Sequence, residues 1–237
     1  MSKGEEELQY EILSEEFNDY DLSFKIIIVG DSGVGKSCLT MRGTKNNFED
    51  FYTPTVGFEF FIFNIRIKDK NIKLQIWDTC GQEAYKSLIS SFYRNSSLAV
   101  IAYAINNLNS FKNIEAWLNE IKTQANPETK IFLIATKVDL ESQRQIPTET
   151  AKNFSKDHGF TYFIETSAKT GFNAQNVFIQ AAKELYLTHL EYKDRNAGRP
   201  SEIPNTPFQQ EITGNILLGE EEEEDNKPRK KKGCCLK

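Results

Sequence analysis

The chain has 237 residues, enough for one sizeable α/β domain with tails, and its net charge of −5 argues against a general nucleic-acid binder. Its four cysteines, Cys38, Cys80, Cys234 and Cys235, make neither a C-x-x-C pair nor a zinc pattern, which points away from a disulfide framework and toward a reducing compartment. No apolar run approaches the ~20 residues that span a bilayer. No signal peptide opens the chain and Ser2 gives no myristoylation signal, so the expectation is a cytosolic protein unless a lipid is attached.

Residues 1–22 are acidic, with Glu5, Glu6, Glu7, Glu11, Glu15, Glu16, Asp19 and Asp21. Leu8, Ile12 and Leu13 would share one side of a short helix, but the composition favours a solvated, disordered leader. Residues 24–29 form an apolar run that reads as a buried strand, and Gly30-Asp31-Ser32-Gly33-Val34-Gly35-Lys36-Ser37 follows it. The spacing G-x-x-x-x-G-K-[ST] is that of the phosphate-binding P-loop. Gly33 and Gly35 let the backbone curl so that successive N–H groups point at a phosphate chain. Lys36 brings a positive charge to the β and γ phosphates, and Ser37 offers a hydroxyl to Mg²⁺. The helix expected from Gly35 to Gly43 adds the partial positive charge of its N-terminus. The phosphate-binding set is thus Ser32, Gly33, Val34, Gly35, Lys36, Ser37 and Cys38.

Residues 46–57 contain Pro54 and read as a long loop. Phe61, Phe63, Ile65 and Ile67 alternate, as do residues 72–77, so 58–67 and 72–77 form a hairpin and hence an antiparallel pair at the sheet edge. Residues 98–104 and 131–135 are continuous apolar runs suited to parallel strands covered on both faces. Between them Phe111, Ile114, Trp117, Leu118 and Ile121 recur at helical spacing. A second helical segment spans 147–158, a short strand 161–165, and a last helix 174–192 with Val177, Phe178, Ala181, Leu185 and Leu190 inward. His158 and His189 stand alone and read as structural or solvated. Residues 193–219 form a Gly- and Pro-containing linker, followed by the acidic run 220–225, five basic residues among 227–232, and Gly233-Cys234-Cys235-Leu236-Lys237.

Chemistry recurs where the strands end. Asp78, in Trp77-Asp78-Thr79-Cys80-Gly81-Gln82-Glu83, is a carboxylate at a strand end beside a P-loop, able to hold Mg²⁺ through water. Gly81 can present a bare N–H to a γ-phosphate, and Gln82 has the donor and acceptor needed to orient an attacking water. The catalytic candidates are therefore Gln82, Lys36 and Gly81. In Thr136-Lys137-Val138-Asp139, a carboxylate at Asp139 can accept both N1–H and the 2-amino group of guanine, a pair that adenine lacks. Lys137 can lie along the nucleotide with its aliphatic stem.

Asp78-Thr79-x-Gly81-Gln82-Glu83 after this P-loop resembles the Ras superfamily of small GTPases. The resemblance covers residues 24–192 and narrows to the Rab branch through Lys73-Leu74-Gln75-Ile76-Trp77-Asp78-Thr79, Phe92-Tyr93-Arg94 and Glu165-Thr166-Ser167-Ala168-Lys169-Thr170. It implies an α/β P-loop NTPase fold: a six-stranded, mostly parallel sheet, one antiparallel edge hairpin strand and helices on both faces. After the acidic leader read at 1–22, it implies a G domain at 23–192 and a hypervariable, disordered tail at 193–237 carrying a lipidation site. By the same resemblance Phe48 lies over the base, and Thr55 completes Mg²⁺ coordination with Ser37 and Asp78 only when a γ-phosphate is present. Ser167, Ala168 and Lys169 close the guanine pocket, with the Ala168 N–H on the O6 atom. Residues 48–57 and 81–93 are then the two switches.

The implied activity is slow GTP hydrolysis by a GDP/GTP switch in vesicle trafficking. The implied partners are an exchange factor, a GTPase-activating protein, a GDP-dissociation inhibitor and effectors. Cys234 and Cys235 resemble a double geranylgeranylation site, which implies a monomer anchored by prenyl groups to the cytoplasmic face of an endomembrane, ER–Golgi or endosomal, cycling with cytosol. The alternative is a GTP-locked binding scaffold with negligible hydrolysis, which intact Gly81 and Gln82 oppose. A P-loop kinase or ATPase is opposed by Asp139 and by the lack of an arginine-rich lid segment. The chain departs from the family at Thr136, where Asn is usual and whose loss would weaken a bridge between base and P-loop. It also departs at Cys80, Ala84-Tyr85, Asn95-Ser96 and at Gly43, where an aromatic is usual; most of these positions are expected to face effectors.

Overall fold

The computed structural model describes residues 8–49, 55, 57–79 and 93–196. Among these residues seven strands run in the order β1-β3-β4-β2-β5-β6-β7. They are β1 (Tyr10–Ile12), β2 (Leu22–Val29), β3 (Phe58–Ile67), β4 (Lys70–Thr79), β5 (Leu98–Ala104), β6 (Lys130–Thr136) and β7 (Tyr162–Glu165). From β4 across to β7 every neighbouring pair is parallel, whereas β1–β3 and β3–β4 are antiparallel.

The central strands divide their side chains between two cores with the period of two that a pleated strand imposes. From β2, Phe24, Ile26 and Ile28 enter one core and Ile27 and Val29 the other; from β5, Leu98 and Val100 oppose Ala99, Ile101 and Tyr103. The first core is closed by α1 (Lys36–Lys45) and α5 (Ala174–Asn196), through Leu39, Val177, Phe178 and Leu185. The second is closed by α3 (Ile114–Gln124) and α4 (Thr148–Asp157), through Trp117, Leu118, Ile121 and Ala151. The helical stretch expected around 111–121 is two helices. Asn107 caps α2 (Leu108–Lys112) by accepting the Ser110 N–H at 3.1 Å, and Asn113 separates α2 from α3. No helix among the described residues is long and apolar enough to cross a membrane.

The sheet has one strand more than the six expected, and it comes from the leader. Tyr10–Ile12 pair antiparallel with Ile65–Ile67 of β3, and the Leu13 N–H extends the ladder to Asn64 O at 2.9 Å. The described leader residues thus carry a strand where a disordered leader or a short helix was expected, and Leu22 already belongs to β2. The physical reason is that Asn64, buried on β3, donates its amide to the carbonyls of Ser14, Glu15 and Phe17 at 2.8, 3.2 and 3.0 Å. Leu8 packs against the first core. At the other end α5 runs to Asn196, past the linker boundary placed at 193.

Gly43 also departs from expectation. It is buried in α1 at the crossing with α5, where an added Cβ would come within 2.4 Å of the Phe178 ring and 2.6 Å of Ala174 O. It faces a helix of the same chain, and the aromatic that would fill this space comes from α5 instead. Of the other departures, Asn95 takes a positive φ of 63°, which Asn tolerates better than most residues. Cys80 and Ala84-Tyr85 lie outside the described residues.

Candidate nucleotide-binding site

The P-loop links β2 to α1, and Gly33 and Gly35 have φ of 74° and 98°. Lys36 is buried, and its ammonium donates to Gly30 O at 2.8 Å and Asp31 O at 2.9 Å. The loop therefore wraps its own lysine, which fixes a cation at the centre of the curl. Val34 is buried, Ser32 and Gly33 are exposed, and Cys38 is half-buried. Burial pushes the Cys38 thiol up from its ordinary value.

Three segments meet at the first turn of α1. The Ser37 hydroxyl lies 2.7 Å from the Thr55 hydroxyl and donates to Asp78 Oδ2 at the end of β4. Asp78 is fully buried, and desolvation raises its carboxyl to about 7 against the opposing pull of the Ser37 hydrogen bond and Lys36. Its second oxygen, Oδ1, is buried without a hydrogen-bond partner among the described residues. An orphaned carboxylate oxygen beside two hydroxyls is a donor set that fits a hard divalent cation such as Mg²⁺.

On the other side of the P-loop, two strand-end loops converge. Thr136, at the end of β6, is buried and donates its hydroxyl to Val34 O at 2.6 Å, near Tyr103 O at 2.9 Å. The usual Asn is gone, but the hydroxyl keeps the P-loop half of the bridge. Lys137 takes a left-handed conformation, φ 62°, and its ammonium donates to Gly33 O at 2.6 Å, so its stem lies across the loop. Asp139 is exposed in the 3₁₀ turn Val138–Gln143, and the Ser167 hydroxyl donates to its Oδ1 at 2.5 Å. The Ser167 hydroxyl also accepts the Thr170 N–H at 3.1 Å, which shapes the loop that carries Ala168 and Lys169. Phe48 is half-buried beyond α1. Gly81, Gln82, Cys234 and Cys235 lie outside the described residues.

Sequence reasoning gave no role to two braces. Asp31 accepts from Trp117 Nε1 at 2.9 Å and Asn113 Nδ2 at 2.7 Å, tying the start of the P-loop to α3. Arg144 donates to Glu165 at 2.8 and 3.3 Å and to Glu141 at 2.9 Å, tying the two base-side loops together. A polar Asp within an otherwise small-residue loop was the available signal for the first. His158 stacks on Phe154 at 3.9 Å and shares a hydrogen bond with Phe154 O, a structural role.

The family model for the Ras family matches residues 25–187. The chain belongs to the Ras family. It is 43% identical to the Ras-related protein RABD2c of Arabidopsis thaliana over 195 residues, 81% of this chain and 96% of that one. It is 39% identical to the GTP-binding protein YPTM2 of Zea mays over 196 residues, 83% and 93% of the two chains. It is 36% identical to the Ras-related protein Rab-13 of Mesocricetus auratus over 200 residues, 84% and 98%. Within the family it is a Rab-type small GTPase, a GTP hydrolase of the kind that serves as a switch in vesicle trafficking.

Proposed function

We propose that this Rab-type GTPase is a membrane-anchored GDP/GTP switch that hydrolyses GTP slowly and acts through GTP-dependent effectors. The observation that supports it most is the meeting of Ser37, Thr55 and Asp78 from three separate segments. The nucleotide phosphates lie along the N–H groups of residues 33–38 beside Ser32, with Lys36 toward the β and γ phosphates. Mg²⁺, when held by Ser37, Thr55 and Asp78, supplies positive charge to the phosphate oxygens. The Thr55 hydroxyl reaches Ser37 from a separate loop, so this loop is the part that a γ-phosphate would hold and its loss would release.

The base lies between Phe48 and the Lys137 stem. Asp139, steadied by the Ser167 hydroxyl, accepts both guanine donors, and Ala168 and Lys169 close the pocket. Gly81 holds the γ-phosphate and Gln82 orients the attacking water. With Ser32 in the P-loop these motifs supply no arginine in cis, so intrinsic turnover is slow, and an activating partner's arginine adds roughly 10³–10⁵-fold. An exchange factor reloads GTP. Prenyl groups on Cys234 and Cys235 give the two lipid chains that stable anchoring needs, and a GDP-dissociation inhibitor masks them in the cytosol. The protein works as a monomer on an endomembrane, at the ER–Golgi step or on endosomes.

The test is to denature purified protein and identify the nucleotide released. Stoichiometric GDP supports guanine binding with hydrolysis, GTP turns the reading to a locked scaffold, and neither removes it. Asp139→Asn is expected to shift preference toward xanthine nucleotides; unchanged selectivity would move the base site elsewhere.

A further inference from the structure

As it runs from the outer edge of β3 to the start of β2, the leader meets cations from four elements. Lys45 of α1, Arg66 of β3, Lys70 and Lys73 of β4 and Lys183 of α5 all face the leader. Arg66 meets Glu11 at 2.7 Å, Lys70 meets Asp21 at 3.1 Å and Lys45 meets Glu15 at 3.5 Å. Lys183 sits 4.8 Å from the Tyr10 ring centre and Lys73 4.9 Å from that of Tyr20. Charge and backbone therefore select the same kind of occupant, an extended segment rich in carboxylates with aromatic residues between them.

The leader fills this surface only in part. β3 is ten residues long and β1 covers three of them. All three residues of β1 are exposed, so its strand carries little hydrophobic hold and rests on ladder bonds and solvated ion pairs. A longer strand could pair with more of β3 than the leader does, since a sheet edge is a template for strand addition. The paired residues, 64–68, lie at the end of β3 remote from Thr55 and Asp78, so the leader's own register need not follow the bound nucleotide, whereas a longer strand extends along 58–63 toward Asp78.

We propose that this edge is a docking surface for an acidic, extended segment of a partner protein, and that the leader is its resident occupant in cis. The leader's high effective concentration keeps weak competitors out, and a partner strand that pairs along more of β3 displaces it.

The probe is a fluorescein-labelled peptide of residues 5–21 added to the full chain, read by anisotropy with GDP or GTP analogue bound. A full-chain Glu11→Lys/Leu13→Pro variant loses one ion pair and one ladder donor, and is expected to bind the peptide at least tenfold more tightly than the wild-type chain. Adding Arg66→Glu is expected to reverse the gain, a scrambled peptide of equal charge to bind no better than to wild type, and the nucleotide to make no difference. Retained nucleotide verifies folding; if it is lost, Glu11→Lys/Glu15→Lys, which alters exposed side chains alone, is expected to give the same ordering. The proposal is overturned if the released edge ignores the peptide, binds the scrambled one equally, or instead captures phosphatidylserine vesicles.

Discussion

The nucleotide end of the sheet and its outer edge are both held by polar contacts, but of opposite kinds. At the nucleotide end, side chains make buried bonds to backbone: Thr136 reaches Val34 O from a loop distant in sequence, and Lys36 bonds Gly30 O within the P-loop. At the edge, the ion pair of Glu11 with Arg66 joins side chains 64% and 40% exposed. Breaking a buried bond abandons a partner that water does not reach, whereas an exposed one is replaced by solvent. Equal numbers of bonds therefore mean unequal energies, and the edge is the exchangeable region.

The largest effect belongs to the packing beneath the P-loop. Gly43→Phe puts an aromatic ring where Phe178 already lies, and overpacking of this kind costs about 3 kcal/mol or more. It should lower the urea midpoint and loosen the bound nucleotide together, because α1 carries Lys36 and Ser37. Combining it with Phe178→Ala should recover part of the loss. No recovery in the double mutant would mean that the clash with Ala174 O decides the outcome.

Thr136→Val keeps the shape and removes the hydroxyl that reaches Val34 O and Tyr103 O. A loss of about 1–3 kcal/mol in unfolding free energy is expected, with a faster nucleotide off-rate. Equal stability would show that the P-loop is not held through this bridge, and the contrast between the two regions would lose its main example.

Asn64→Ala tests the buried polar anchor of the edge. Its amide donates to three carbonyls of the leader turn, but Ser14 and Glu15 are exposed and its own Oδ1 has no partner among the described residues. The lost bonds are thus partly replaced by water and an orphaned acceptor goes with them, so the cost should be about 1 kcal/mol. Amide exchange should quicken in residues 9–17 before any change near the P-loop. A loss as large as that of Thr136→Val would put the leader inside the cooperative core.

What could be read in the sequence follows the same division. Gly33, Lys36, Ser37, Asp78 and Asp139 were legible because their spacing encodes a backbone path around a phosphate chain, and the alternation of Phe61, Phe63, Ile65 and Ile67 encodes one buried face. Tyr10–Ile12 were not legible, since an exposed three-residue strand has no burial to impose a period; the edge of β3 specifies it. The leader's carboxylates read as solvated because composition does not show the cations facing them. Asn64, polar and yet buried, was a signal that something covers that face of β3. The place of Gly43 was not legible because a missing side chain on one helix does not reveal that Phe178 of another has taken its space.

The smallest effect concerns the far end of the leader and carries its own sign. Asp21 accepts the Asn71 N–H at 2.8 Å and the Lys70 ammonium at 3.1 Å, and these hold its carboxyl below the ordinary carboxylate value. Lys70 is also 3.8 Å from Asp69, so it stays charged through the range concerned. A depressed folded-state pKa gives stability that is present above the unfolded value, near about 4, and is lost as pH falls through the lower folded value. The difference in thermal midpoint between the wild-type chain and Asp21→Asn should therefore be constant from neutral pH down to about 4 and shrink below it. Because both partners are solvated, the difference at neutral pH should not exceed that of a surface ion pair, below about 1 kcal/mol. A difference that persisted unchanged to pH 3 would mean that the Asn71 N–H is held as well by the neutral amide. The last residue of the leader before β2 would then be fixed by shape and not by charge, in contrast to the Glu11–Arg66 pair at the edge of β3.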